Sequence, residues 1–127
     1  MVKPKIPKPT ESELAILGIL WEKGPCTVRQ VNETLSKQQP TGYTTTLKLM
    51  QIMAEKGLVV RDQSQRTHVY QAHLPEEQTQ NQLLGDLMDK AFGGSAEKLV
   101  LRALSAKKIS AGELAKIKQM LTEIEGK

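Results

Sequence analysis

Apolar side chains recur at three- and four-residue spacing near the start of the chain, a pattern that predicts an amphipathic first helix. Thr10 and Glu13 form the T-x-x-E sequence of a capping box, so the helix is expected to begin at Thr10. Gly24 and Pro25 are expected to end it. The apolar stripe predicted to face the core is formed by Leu14, Leu17, Leu20 and Trp21.

A second helix is predicted from Thr27, where the sequence T-V-R-Q repeats the capping pattern. The polar stretch 36–40 is predicted to be a turn that leads into a third helix. Cys26, just before the cap, is predicted to be a buried and unreactive thiol, because no histidine lies near it in the sequence. The core-facing positions of the second helix are Val28, Val31 and Leu35.

The third helix is predicted between the turn residues Pro40 and Gly42 and a stop at Gly57. Its apolar positions are Leu47, Met50, Met53 and Ala54. The opposite face carries small, hydrogen-bonding or cationic side chains, of the kind that contacts bases and phosphates. These are Thr44, Thr45, Lys48 and Gln51.

A β-hairpin is predicted directly after the third helix, from two runs with alternating side chains. Its strands are residues 58–61 and 67–71. Alternation puts Leu58 and Val60 on one face. Val59 and Arg61 fall on the other. Arg61 and Arg66 are expected on the solvated side, where they either contact phosphates or only form a solubilising pair with a neighbouring carboxylate.

Three more helices are predicted beyond Pro75. The first ends before Gly93 and Gly94, and Ser95 caps the second. The third opens with S-x-x-E at Ser110 and has the three-four-three apolar spacing of a coiled-coil seam. Three short helices cannot enclose a core alone, so they either fold back on the first domain or, as we expect, pair with a second copy. The residues predicted for this dimer interface are Leu84, Leu87, Met88, Leu99, Leu114, Ile117, Leu121 and Ile124.

The predicted fold class is mainly α with a small β-hairpin, a winged helix-turn-helix domain plus a C-terminal three-helix dimerisation segment. The predicted parts are a flexible basic arm at 1–9, a winged-helix DNA-binding domain at 10–73 and a helical dimerisation domain at 74–127. The arm alternates lysine and proline, which disfavours helix and strand pairing. It is expected either to be a disordered terminus or to track DNA phosphates.

The positive charge of the chain lies in its first part. Residues 1–73 hold ten Lys and Arg against six Asp and Glu, a net +4, whereas residues 74–127 hold eight of each. This excess is compatible with nucleic acid binding, although many basic proteins bind none.

Composition also disfavours several classes of function. No apolar run is long enough to span a membrane, so no membrane insertion is expected. The single cysteine excludes an intramolecular disulfide and fits a reducing cytoplasm, which is the predicted location. His68 and His73 would project to opposite faces of a strand, so no metal site is predicted. No catalytic constellation is recognisable, and the chain is predicted to be neither an enzyme nor a cofactor-binding protein.

Six segments, taken in order, carry a resemblance to a known family. They are S-E-L-A-I-L-G-I-L-W at 12–21, Y-T-T-T-L at 43–47, E-K-G-L-V at 55–59, V-Y-Q at 69–71, K-L-V-L at 98–101 and I-S-A-G-E-L at 109–114. With them the chain resembles the penicillinase-repressor family, the BlaI/MecI/CopY group of bacterial transcriptional repressors, from about Thr10 to Leu121. The resemblance implies a winged-helix N-terminal domain, a helical C-terminal dimerisation domain and a palindromic operator.

By matching position, the resemblance implies which residues meet DNA. The recognition helix would carry Tyr43, Thr44, Thr45 and Lys48, and the wing Arg61 and Arg66; the helical face adds Gln51. The favoured function is a sequence-specific transcriptional repressor that binds double-stranded DNA as a homodimer, with resistance and stress genes as the family's common targets. The alternative is a winged-helix module that binds protein without reading DNA. Exposed apolar anchors on the 44–48 face would favour it, and that face is predicted to carry none.

The chain departs from the family pattern in three places. Ile52 stands where the family usually has an arginine, which implies one DNA contact fewer. Antibiotic-responsive members are cut at an Asn-Phe bond when a membrane sensor-protease is triggered, whereas this chain has Arg102 and Ala103 there, which weakens the case for such a partner. The copper-responsive branch has a cysteine-rich tail, and this tail has no cysteine.

Overall fold

A computed structural model describes residues 6–106 and 108–126 of the chain. These residues form six α-helices and three short β-strands, which confirms the predicted class, mainly α with a small β element. The elements are α1 (Glu11–Lys23), β1 (Cys26–Thr27), α2 (Val28–Gln38), α3 (Tyr43–Lys56), β2 (Val59–Asp62), β3 (Val69–Ala72), α4 (Glu76–Ala91), α5 (Ala96–Ala106) and α6 (Ala111–Glu125).

The predicted helix boundaries hold where they depend on local chemistry. Thr10 Oγ1 accepts a hydrogen bond from Glu13 N at 3.2 Å, while Thr10 N donates to Glu13 Oε1 at 2.9 Å. Thr27 and Gln30 form the same reciprocal pair at the start of α2. Gly57 has a φ of 84°, and this left-handed residue closes α3 at the predicted stop.

Helix α2 is longer than predicted, because it continues through Gln38 into the stretch 36–40 that the sequence predicts to be a turn. The first three residues of that stretch contain no helix breaker. Pro40 is the breaker, since its ring disfavours a helical conformation in the residue before it. Gln39 is accordingly extended, with φ −149° and ψ 122°.

The sheet has a third strand that the sequence analysis missed. β3 lies in the centre and pairs antiparallel with both neighbours, in the order β1-β3-β2. Tyr70 of β3 is 1% exposed, and its register partners are Cys26 and Arg61. Because β1 leads directly into α2, this pairing brings the start of α2 beside the hairpin. Cys26 is buried as predicted, and burial raises the pKa of its thiol.

The predicted faces of the hairpin are wrong in part, because the first strand begins one residue later than predicted. Leu58 still belongs to the turn that closes α3, where its N–H donates to Met53 O at 2.9 Å. Within β2, Val59 is buried and Val60 is 43% exposed. Arg61 shares a face with the buried Val59 and is itself half-buried, so it is not fully solvated as expected.

The core of the first unit lies between α1, α2, α3 and the hairpin. Its position on α1 differs from the predicted stripe, because Ile16 is fully buried whereas Leu14 and Trp21 are only partly buried. Trp21 packs at the edge of the core, and its indole Nε1 donates to Leu74 O at 3.0 Å. The core residues are Ile16, Leu17, Leu20, Cys26, Val28, Val31, Met50, Met53, Leu58, Val59 and Tyr70, with Leu35, Leu47 and Ala54 partly buried against them.

The segment before α1 is partly packed. The prediction of a flexible arm at residues 1–9 falls in part on residues 1–5, which lie outside the described residues. Of the remainder, Ile6 packs against the core and its carbonyl accepts a hydrogen bond from Gln82 Nε2 at 3.1 Å. Pro9 is buried. Residues 6–9 therefore lie against the first unit.

The chain divides into two compact units, of which the second is Leu84–Lys127. The division falls within α4, whereas the sequence places it at residue 73, before that helix. No residue of this unit is buried among those the structure describes. None of the described helices combines the length and the hydropathy needed to cross a membrane.

Candidate nucleic-acid interface

The outward face of α3 is polar along its length. The inward face buries Thr46, Met50 and Met53 in the core. All five α3 residues predicted to contact DNA are exposed, and Tyr43 presents 49% of its surface. They are Tyr43, Thr44, Thr45, Lys48 and Gln51. The structure therefore places this predicted set on one solvent-accessible side of a helix that is anchored by its other side.

The start of α3 differs from the capped starts of α1 and α2. Its N-cap is Gly42, which has no side chain to accept a hydrogen bond from the first turn. The N–H groups of a first helical turn have no partner within the helix, and the helix dipole gives this end partial positive charge. A DNA phosphate is a suitable partner for such an end.

A groove of about 530 Å³ runs between α3 and the hairpin. It brings together Tyr43 and Gln51 of α3 with Arg61 and Arg66 of the hairpin. The other lining residues, among them Arg29, Thr67 and His68, were not predicted as part of the site. The full lining is Thr27, Val28, Arg29, Tyr43, Leu47, Gln51, Arg61, Arg66, Thr67, His68 and Tyr70. Three arginines and no carboxylate in this lining make the groove a basic surface.

Arg29 joins the groove through the strand that the sequence analysis missed. It lies in the first turn of α2, and the pairing of β1 with β3 brings that turn beside the hairpin. Without this pairing nothing in the sequence relates the start of α2 to the hairpin. Thr44, Thr45 and Lys48 do not line the groove; they occupy the exposed face of α3 beside it.

Asp62 does not form an ion pair with Arg61 or Arg66 of the hairpin. Asp62 Oδ1 accepts a hydrogen bond from Ser64 N at 2.9 Å, and this bond holds the pKa of the Asp62 carboxyl below its ordinary value. Among the described residues neither arginine forms an ion pair. The Gln63 amide, in the orientation that satisfies both groups, accepts a hydrogen bond from Arg61 Nε at 2.8 Å. The guanidinium of Arg61 thus keeps its charge available.

A buried carboxylate ties α3 to α1 behind this surface. Glu13 is 1% exposed, and its Oε2 lies 2.9 Å from Lys56 Nζ near the end of α3. Burial alone would raise the pKa of Glu13, but hydrogen bonds from Thr10 and Lys56 and the charge of Lys56 bring the pKa below its ordinary value. The described residues contain no group of three or more His, Cys, Asp or Glu that could hold a metal ion.

Comparison with known proteins agrees with this geometry. A family model described as penicillinase repressor matches residues 9–123. The chain is 28% identical over 123 residues to the transcriptional regulator BlaI of Mycobacterium tuberculosis, covering 95% of this chain and 88% of the relative. It is 22% identical over 119 residues to the penicillinase repressor of Bacillus licheniformis, covering 94% and 93%.

A solved structure shares the fold of the first part of the chain. It is described as the solution structure of the DNA binding domain of the repressor BlaI, and it aligns with a TM-score of 0.51 at 23% identity. The alignment covers 58% of this chain and 90% of that domain. The predicted winged helix-turn-helix architecture is confirmed by this likeness.

Proposed function

The chain belongs to the penicillinase repressor family, a non-enzymatic family of transcriptional repressors, and from this premise we propose that it reads a palindromic operator as a homodimer. Membership of that family confirms the prediction that the chain is not an enzyme. The observation that carries the proposal is the exposed polar face of α3 next to a groove that holds three arginines. Double-stranded DNA in the cytoplasm is the proposed partner.

In the proposed complex α3 lies in the major groove, which is wide enough to admit a helix. Thr44, Thr45 and Lys48 on the first two turns reach base edges and phosphates, and Gln51 extends the contact by one turn. Ile52 is only partly exposed and offers no hydrogen bond where the family usually has an arginine. Base contact is therefore concentrated in the N-terminal half of α3.

The groove arginines are proposed to hold the DNA backbone. Arg61 and Arg66 approach from the wing, and Arg29 from the start of α2, so the cations come from two separate parts of the fold. Backbone contacts of this kind fix the register of the protein on DNA and release bound counterions. They give affinity, while α3 gives sequence preference.

The second unit supports the homodimer. Its large apolar side chains are left in solvent, and surfaces of this kind mark sites of association. Of the eight predicted interface residues, five are exposed and Met88, Leu99 and Ile117 are partly exposed. The large apolar residues that the unit exposes are Leu84, Leu87, Val100, Leu101, Leu104, Leu114, Met120, Leu121 and Ile124.

A cleavage-dependent release of the repressor is not part of the proposal. Arg102 and Ala103 are both exposed on α5, at the position that carries Asn-Phe in antibiotic-responsive relatives. A membrane sensor-protease partner therefore stays a prediction from resemblance alone.

The proposal is tested by titrating duplex DNA that the wild-type protein selects from a randomised library. Lys48→Ala and Arg66→Ala should each weaken binding and lower the slope of log affinity against log salt by about two units, because each removes one phosphate-binding charge from each protomer of the homodimer. Lys37→Ala is the matched control, since Lys37 is exposed on α2 and does not line the groove. Wild-type affinity and slope in both test variants would show that this surface does not bind DNA.

A further inference from the structure

One side chain of α2 connects to both the turn and the recognition helix. Asn32 Nδ2 donates to Thr41 O at 2.8 Å and to Thr46 Oγ1 at 3.0 Å. Thr41 lies in the turn before α3. Thr46 is the fourth residue of α3, and its side chain is fully buried, with 0% of the residue exposed. The side-chain amide of Asn32 therefore holds the Thr41 carbonyl, just before the start of α3, and the Thr46 hydroxyl, just after it.

This contact restrains the start of α3 without capping it, because the Asn32 amide donates and does not accept from the N–H groups of the first turn. Gly42 provides no side-chain hydrogen bond at the N-cap, and the turn is held from α2 instead. Ser36 Oγ adds to the same arrangement, since it accepts from Thr41 N at 3.4 Å and donates to Thr41 O at 3.2 Å. The orientation of the first turn of α3 thus depends on side chains of another helix.

The consequence of losing the amide differs for the two kinds of DNA contact. The apolar side chains of α3 would keep the helix in the core, because Met50 and Met53 are fully buried. The rotation and tilt of the first turn would lose their polar restraint. Hydrogen bonds to base edges need defined distances and angles, whereas long cationic side chains reach phosphates from a range of positions.

We propose that Asn32 is a positioning residue for base readout. It lies behind the recognition helix and contacts no DNA; it fixes the first turn of α3 relative to α2, so that the exposed threonines and Lys48 meet the bases in register. This inference rests on the proposed function, and it adds a residue that belongs to neither the exposed face of α3 nor the basic groove.

The test compares two affinities of one variant. Asn32→Leu keeps the approximate size of the side chain and removes both donors. We expect its affinity for the duplex selected by wild type to fall about tenfold, the value of roughly one to two hydrogen bonds. Its affinity for sheared duplex DNA of mixed sequence should stay within about twofold, since phosphate contacts dominate nonspecific binding. A purely structural role would lower both affinities together.

Thr34→Val is the matched control, because Thr34 Oγ1 donates only to Gln30 O within α2. Thr46→Val gives a second variant that removes one acceptor, and its ratio of specific to nonspecific affinity should fall by less than that of Asn32→Leu. The double variant Asn32→Leu/Thr46→Val should lose no more than Asn32→Leu, because both changes delete the same bond. Additive losses would overturn the proposal.

The two proposals fail in different ways. A wild-type protein that selects no duplex from the library contradicts the proposed function. A wild-type protein that selects a duplex, together with an Asn32→Leu variant that keeps the wild-type ratio of specific to nonspecific affinity, contradicts only the positioning role of Asn32.

Discussion

The two units of this chain treat their apolar side chains in opposite ways. The first unit buries eleven apolar residues in one cluster. Among its described residues the second unit buries none, and it exposes nine large apolar side chains. Burial of apolar surface is the main favourable term in folding, so the first unit has the means to fold as a monomer. The second unit requires another surface, which we propose is its own copy.

The largest effect is expected from Leu121→Asp in α6, which puts a carboxylate on the apolar surface of the second unit. The variant should sediment as a monomer, since a charge would be buried without a partner in the dimer. Its affinity for the selected duplex should fall by about a hundredfold, because one chain then holds only one half-site. Circular dichroism should still show a folded first unit.

Gln119→Asp is the control for that change, because it places the same charge at an exposed polar position of α6. It should remain a dimer. A dimeric mass for Leu121→Asp would remove the last helix from the interface and would break the proposed contrast between the units.

A smaller effect is expected from Glu13→Gln, which tests the interior of the first unit. The substitution should lower the free energy of unfolding at neutral pH by about 1 to 3 kcal/mol, the worth of a hydrogen bond to a charged group. Because the folded state lowers the pKa of Glu13 from its ordinary 4.5, the stabilisation is complete above pH 4.5 and is lost as the pH falls below it.

Urea denaturation at a series of pH values measures this effect. The difference between wild type and Glu13→Gln should shrink as the pH drops below 4.5, whereas exposed Glu22→Gln should match wild type throughout. A difference that does not vary with pH would show that the ion pair with Lys56 is not its source.

The smallest effect is expected from Arg29→Gln. This substitution changes the surface of the first unit and leaves both its apolar core and the apolar surface of the second unit unaltered. Loss of one phosphate contact from each protomer of the homodimer should reduce the slope of log affinity against log salt by about 1.8 and leave sequence preference unchanged. Lys37→Gln, near the other end of the same helix, should keep the wild-type slope. An unchanged slope for Arg29→Gln would place α2 away from the DNA backbone.

The features best predicted from the sequence are those that depend on a few residues adjacent in the chain. The boxes at Thr10 and Thr27 and the stop at Gly57 depend on a few adjacent residues, and the structure has all three. The exposed face of α3 was predictable because its apolar positions fix which side meets the core. The buried face of α1 was harder to predict, because apolar residues surround much of that helix. Ile16 is buried there, whereas Leu14 is only partly buried.

Features that join distant segments could not be predicted in this way. A two-residue strand such as β1 has no periodic signal, and without it Arg29 has no visible relation to the wing. The bonds of Asn32 across the turn likewise depend on how α2 and α3 pack. Arg61 shares a face with Val59 as predicted, but burial of Val59 makes that face only partly solvated, while Leu58 belongs to the end of α3 and not to the strand.

The bond between the Trp21 indole and the Leu74 carbonyl gives the protein an internal optical reporter. Trp21 is the single tryptophan of the chain, so its emission has one source. Its partner lies in the short segment between β3 and α4, on the path from the wing to the second unit. If that segment detaches, the indole gains water and its emission moves to longer wavelength, so fluorescence alone can follow this segment during DNA binding.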